Sequence, residues 1–206
     1  MSRKKDTKTK ILDAAEALFS RDGIAKTSLR TIIAKANVNI AAIHYHFGSK
    51  KEVISAVYLR RLQPINEKRL AKLQEMKEQA GEEKLDLEEI IKAFLLPILI
   101  CESVSKNERE KMRKLFSHVQ TEPDEVAHIM DMFKDVFEQY TMAIAEVLPQ
   151  LSKDDLTLRF MFMIGVMGSI MNKNIFHNKL SKIDEKTPFE VFLNKAIKFV
   201  AAGFKA

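Results

Sequence analysis

The sequence predicts an all-α fold of about nine helices: a basic three-helix module followed by a larger apolar body. Three observations carry that prediction. Apolar residues recur at three- and four-residue spacing along almost the whole chain, the period of one helix face. Strand-like alternation is scarce, and only 6 Gly and 5 Pro interrupt 206 residues. The charge is uneven: residues 1–51 hold 11 Lys/Arg against 4 Asp/Glu, so the whole +6 excess lies in the first quarter of the chain. A basic module on a near-neutral body points to a polyanionic partner at one end.

The elements follow from start and stop signals. Helix 1 is expected from Thr7 to about Arg21, with Ile11, Ala14, Ala15, Leu18 and Phe19 on one stripe and Gly23 as its stop. Helix 2 starts behind the N-cap Ser28 and runs to about Ala36, burying Ile32 and Ile33. Asn37 takes the turn. Helix 3 starts behind Asn39, carries IAAIHYHF and breaks at Gly48. Helix 4 opens with SKKE, where Ser49 and Glu52 have capping-box spacing, and extends to about Gln79. Pro64 inside it is expected to kink or split the helix, because proline removes a backbone hydrogen bond.

After the polar break GEEKLD, helix 5 is expected over about Asp86–Val104, kinked at Pro97, and helix 6 over Asn107 to about His118. Helix 7 begins near Pro123, an apt first-turn proline, and ends before Pro149. Helix 8 follows a Ser152 cap to about Asn174. Helix 9 starts near Pro188 behind a Thr187 cap and ends near Gly203. The expected division is 1–51 for the module, with helix 4 connecting from 49, and 52–206 for the body.

Bulk properties exclude several classes. The N-terminus, MSRKKDTKTK, is basic and polar with no apolar stretch behind it, unlike a secretory signal. The most apolar windows, IIKAFLLPILIC and RFMFMIGVMGSIM, are too short and charge-flanked to span a bilayer. The single cysteine, Cys101, permits no intrachain bridge and reads as a packed thiol beside Ile100 and Val104. A cytoplasmic protein is expected. No phosphate loop, metal-ligand spacing or nucleophile with a nearby base is visible, so neither cofactor nor metal nor catalytic residue is assigned. His44 and His46 would point about 200° apart on a helix and lack further ligands.

Helices 2 and 3 are short, joined by a tight turn and braced by helix 1, which is the helix-turn-helix pattern with the second member as reader. Ile40, Ile43 and Phe47 are expected to face helix 1. That leaves Asn39, Ala41, Ala42, His44, Tyr45 and His46 toward or beside DNA, with small Ala41 and Ala42 permitting close approach. Lys50 opens helix 4, where its ammonium and nearby amides can meet a phosphate.

The run TSLRTIIAKANVNIAAIHYHFGSKKEVISAVY resembles the DNA-binding domain of the tetracycline-repressor (TetR) family, over roughly residues 7 to 58. The resemblance implies a homodimeric regulator with a divergent helical body that binds a ligand and dimerises through its last two helices. It implies phosphate contacts from Tyr45, Lys50 and the helix 2 start at Thr27 and Ser28. It implies base contacts from Arg30, Asn39, Ala41 and His44. Arg30 suits guanine O6 and N7, and Ala41 a thymine methyl. The family usually has Gly where this chain has Asn37, and often Tyr where it has His44. NIAAIHYHFGSK is most similar to a subgroup whose members govern lipid metabolism or efflux.

Eight of 10 Met and 11 of 13 Phe lie beyond residue 90. Helix 8 is apolar nearly all round and needs cover on both sides. An ordinary core is one explanation; a partner subunit and an apolar ligand cavity are the other. The pocket candidates are Phe94, Ile98, Met112, Phe116, Met130, Phe133, Phe137, Met163 and Met167. Arg113 and Arg159 are candidate anchors for a carboxylate, or equally surface ion-pair partners.

The expected function is a transcriptional repressor released from a palindromic operator by a small apolar effector, fatty acyl or aromatic, as a homodimer through helices 8 and 9. The alternatives are a helical enzyme with an apolar cavity and an architectural DNA-binding protein.

Overall fold

The computed structural model describes residues 6–99, 105–171 and 189–206. Every regular element among them is helical: α1 Thr7–Asp22, α2 Leu29–Ala36, α3 Ile40–His46, α4 Lys50–Ala80, α5 Leu87–Leu99, α6 Lys106–Thr121, α7 Pro123–Val126, a 3₁₀ segment Ala127–Phe133, α8 Lys134–Val147, α9 Lys153–Met171 and α10 Phe189–Lys205. None of these helices is long and apolar enough to cross a membrane. Cys101, the end of expected helix 5, the end of expected helix 8 and the Thr187 cap lie outside the described residues.

Short polar side chains start the helices as expected. Ser28 Oγ accepts from Thr31 N at 3.1 Å, Asn39 Oδ1 from Ala42 N at 2.8 Å, Ser49 Oγ from Glu52 N at 3.2 Å and Ser152 Oγ from Asp155 N at 3.1 Å. Each satisfies an amide that the first helical turn leaves unpaired. Asp6, Asp86 and Ser105 cap α1, α5 and α6 in the same way. Gly23 ends α1 with φ 91°, and Asn37 ends α2 in the left-handed conformation at φ 52°, ψ 55°.

The described residues form two compact units. The first comprises 6–64 and 105–132; the second comprises 65–99, 133–171 and 189–206. This grouping differs from a division at 51/52, because α6 and α7 share the first unit with α1–α3. There α1 packs against α2, α3 and α6 around fully buried Ile11, Ala15, Phe19, Ile24, Ile32 and Ile43. In the second unit α5 packs against α8, α9 and α10, around Ile90, Ile91, Phe94, Tyr140, Phe160, Met163, Ile197 and Phe204. Burying one such large apolar side chain contributes about 2 kcal/mol.

Three expectations need correction. Of the two outcomes expected at Pro64, a kink or a split, the split does not occur: α4 continues through it as one helix. Pro64 is exposed while Leu62 and Ile65 beside it are buried, so packing holds the helix across one missing hydrogen bond. Expected helix 7 is instead α7, a 3₁₀ segment and α8. Val126 and Ile129 are buried in the first unit but Val136 and Tyr140 in the second, so the run serves two cores and keeps no single stripe. Ile40 is 64 % exposed rather than packed on α1, because it is the first residue of α3, whereas Ile43 one turn on is fully buried.

Candidate nucleic-acid interface

The reader surface is built from the two capped helices α2 and α3. Ser28 and Arg30 are exposed at the start of α2. Asn39, Ala41 and His44 are exposed along α3, and Tyr45 is 86 % exposed. Ala42 and His46 are half-buried, and Ile43 anchors the helix from beneath. An exposed tyrosine has no packing reason to stand there; its ring meets only the edge of His46, centroids 5.0 Å apart. Asn39 uses Oδ1 for its cap, which leaves the amide NH₂ to donate outward.

Two expected contacts are placed differently. Thr27 is 2 % exposed, with its hydroxyl donating to Gly23 O at 2.7 Å and its amide to Ile24 O at 3.1 Å. It braces the α1–α2 turn and offers no surface to a phosphate, leaving Ser28 and Arg30 at that helix start. Lys50 is half-buried, with Nζ 3.3 Å from Glu125 Oε2 and 3.5 Å from Ala25 O. An ion pair as exposed as this stabilises by under about 1 kcal/mol, so a phosphate can take the ammonium from Glu125.

The turn that sets the reader is held by a carboxylate the sequence reading missed. Glu122, between α6 and α7, accepts from Ala25 N at 2.6 Å and Ile24 N at 3.2 Å. The φ of 91° at Gly23 favours glycine, and a Cβ there would stand 2.9 Å from Glu122 Oε1, so a larger residue would also push this carboxylate aside. Nearby, Tyr58 Oη donates to Leu115 O at 2.7 Å. Burial, with the charge of Glu122 adding to it, pushes the Tyr58 phenol well above its ordinary range, so it remains a donor. Glu16, 3 % exposed, accepts from Arg60 and Arg61, and Arg61 also donates to Glu108 at 2.6 Å. Glu16 stands four residues from both Leu12 and Ser20, on a buried face of α1, which was the available signal.

The nine apolar pocket candidates fall in both units. Met112, Phe116 and Met130 lie in the first unit, where Met130 is 45 % exposed. Phe94, Ile98, Phe133, Phe137, Met163 and Met167 lie in the second. Of these, Phe94, Phe137, Met163 and Met167 join its core, where the rings of Phe94 and Phe137 each meet Phe160 edge-on at 5.0 Å. A shallow groove of about 350 Å³ beside Leu70, Gln74, Lys77, Asp135 and Gln139 holds none of the nine. Arg113 pairs with Glu110 at 2.6 Å, and Arg159 donates to Phe204 O at 2.7 Å near the end of α10.

Large apolar side chains are also exposed along α9 and α10. Leu158, Met161 and Phe162 on α9 and Val191 and Phe199 on α10 are between 43 % and 71 % exposed. Large apolar side chains exposed together mark an interaction surface.

Comparison with known proteins agrees with this architecture. Residues 92–203 match the family described as "Tetracyclin repressor-like, C-terminal domain", and residues 11–57 match "Bacterial regulatory proteins, tetR family". The HTH-type transcriptional regulator TtgW of Pseudomonas putida is 38 % identical over 61 residues, 30 % of this chain and 46 % of that protein. The nicotine-responsive transcriptional repressor HdnoR of Paenarthrobacter nicotinovorans is 37 % identical over 60 residues, 29 % of this chain and 31 % of that protein. The matched stretch thus spans less than half the length of these curated relatives.

A transcription regulator of the tetR family from Shewanella sp. PV-4 shares the fold with a TM-score of 0.65 at 16 % identity, over 97 % of this chain and 96 % of that one. AmtR of Mycobacterium smegmatis gives a TM-score of 0.59 at 18 % identity, over 96 % and 87 %. With one family profile spanning more than half of its residues and a second spanning its helix-turn-helix, the chain belongs to the TetR family of transcriptional regulators, DNA-binding transcription factors rather than enzymes.

Proposed function

We propose that the protein is a ligand-responsive repressor that binds a palindromic operator as a homodimer and is released by a small effector carrying a large apolar part. The observation that carries the DNA half of this reading is Tyr45, almost wholly exposed on a capped helix whose Ile43 is fully buried. In this reading Tyr45, Ser28 and Lys50 grip phosphates, while Arg30, Asn39, Ala41 and His44 meet base edges and Ala42 and His46 flank them. Residues 1–51 act as the reader and 52–206 as the ligand-binding and dimerising body, in the cytoplasm.

Dimerisation through α9 and α10 is supported by the exposed Leu158, Met161, Phe162, Val191 and Phe199, which a symmetric partner would cover. The effector reading is supported by the Phe- and Met-rich core of the second unit, which suits an adaptable apolar site. The effector acts by binding one of two conformations better than the other, which lowers operator affinity by the same coupling. HdnoR, a responsive repressor by name, offers a precedent among the relatives. An architectural DNA-binding role would not require so large an apolar body.

The test is fluorescence anisotropy with DNA from the region upstream of its own gene, against scrambled DNA of equal length. The expected result is sequence-dependent binding that Tyr45→Ala and Lys50→Ala together abolish with helicity intact. Equal binding to both DNAs, weakened only by salt, would return the architectural reading.

A further inference from the structure

Arg69 occupies an apolar position of α4, in register with buried Leu62, Ile65 and Leu73, and is 1 % exposed. Its Nε donates to Phe94 O at 2.8 Å and its Nη1 to Asn66 Oδ1 at 3.2 Å. Its Nη2 reaches Met167 Sδ at 3.6 Å, and the guanidinium carbon lies 3.9 Å from the centroid of the Phe94 ring. Tyr140 Oη donates to the Arg69 carbonyl at 2.9 Å. Among the described residues, no carboxylate stands within ion-pair distance of this guanidinium. Burial brings its pKa down to about 10, slightly offset by Tyr140, so it is still a cation at neutral pH.

A buried charge is normally paired, because removing an ion from water without a counter-charge is costly. Here the acceptors are neutral, and the weakest of them, a thioether, sits on the most adaptable apolar side chain. An arginine fork matches a carboxylate in shape, and a charge-assisted bond is about twice as strong as a neutral one. Phe94, whose ring lies against the guanidinium, meets Phe160 edge-on at 5.0 Å in a core that also holds Met163; these three are buried and Met167 is half-buried.

We propose that the body of this protein binds an amphipathic anion, whose oxyanion displaces the Met167 thioether from Arg69 and whose apolar part lies against Phe94, Phe160 and Met163. The proposal rests on the reading that the effector is held in the body, and it names the chemical class: a carboxylate carrying an alkyl chain or an aromatic ring. Arg113 is already paired with a carboxylate and Arg159 is only half-buried, so neither is a sealed charge in need of a counter-ion.

The test is calorimetric titration of the full-length protein with decanoate and decanol, and with 4-phenylbutyrate and 4-phenylbutanol. The expected result is that the acid of at least one pair binds wild type about tenfold or more tighter than its alcohol. Which pair does so separates alkyl from aromatic ligands. In Arg69→Met the preference is expected to vanish, with acid affinity falling to that of the alcohol, and in Arg69→Lys, which keeps charge without the fork, to be partial. Equal binding of acid and alcohol by wild type would overturn the anion while leaving an apolar effector standing. A preference that survives Arg69→Met would overturn the anchor. Binding of none of the four would overturn this proposal and the effector reading together. The wild-type comparison needs no variant to fold, and circular-dichroism melting checks the variants.

Discussion

Glu16 and Arg69 are each nearly sealed from water, at 3 % and 1 % exposure, and the protein treats them in opposite ways. Glu16 in the first unit meets two guanidiniums, Arg60 and Arg61, and the cluster extends through Arg61 to Glu108 and on to Lys111. Arg69 in the second unit meets a carbonyl, an amide oxygen, a thioether and a ring face. With Asp13 on Arg60 the first arrangement holds three cations against three carboxylates, so its buried charge is matched. The second is incomplete in charge, which is tolerable where a ligand completes it and otherwise a net cost. The first unit surrounds its buried charge with opposite charges; the second surrounds its buried charge with neutral acceptors.

The contrast can be broken by mutation. Glu16→Ala has the largest expected effect, a loss of about 3 kcal/mol in urea unfolding, because two partly buried arginines lose their shared carboxylate. Arg69→Met is expected to leave the ligand-free protein unchanged or stabilise it by about 1 kcal/mol, since an apolar side chain of similar length removes an uncompensated charge. If Arg69→Met instead cost as much as Glu16→Ala, the two sites would be alike and the difference drawn here would disappear.

Asn39→Ala tests the reader separately. Losing the α3 cap is expected to cost about 1 kcal/mol, and operator affinity should fall further than stability does, because Asn39 also faces DNA in the proposed complex. Parallel losses would make Asn39 a cap alone.

The smallest effect concerns pH. Hydrogen bonds from Lys111 and then Arg61 hold the Glu108 carboxyl below its ordinary range. Its contribution is therefore present above the unfolded value near pH 4.5 and is lost as pH falls through the lower folded value. Thermal melts of Glu108→Gln and wild type should differ at pH 7 and converge as the pH falls through the lowered folded value.

The helices with their own end signals were legible in the chain. Ser28, Asn37, Asn39, Ser49 and Ser152 start or stop helices as their chemistry dictates, since a cap or left-handed turn involves neighbours three residues away. The helix-turn-helix could be read for that reason, and Tyr45 and Ile43 fell on opposite faces as the helical period requires. Helix 7 was misread because its apolar spacing looks uniform while its two ends fill different cores.

Local sequence thus determined helical class, caps, turns and which side of α3 carries the reader. Tertiary structure decided that Thr27 turns inward, that Ile40 stands exposed and that Glu122 seats the α1–α2 turn from 98 residues away. It also decided that Arg69, rather than the half-buried Arg113 or Arg159, is sealed in the aromatic core with only neutral partners among the described residues. Those outcomes depend on which distant groups meet. Hydrogen bonding within a turn is encoded over a few residues, whereas desolvation and charge pairing are properties of the packed interior.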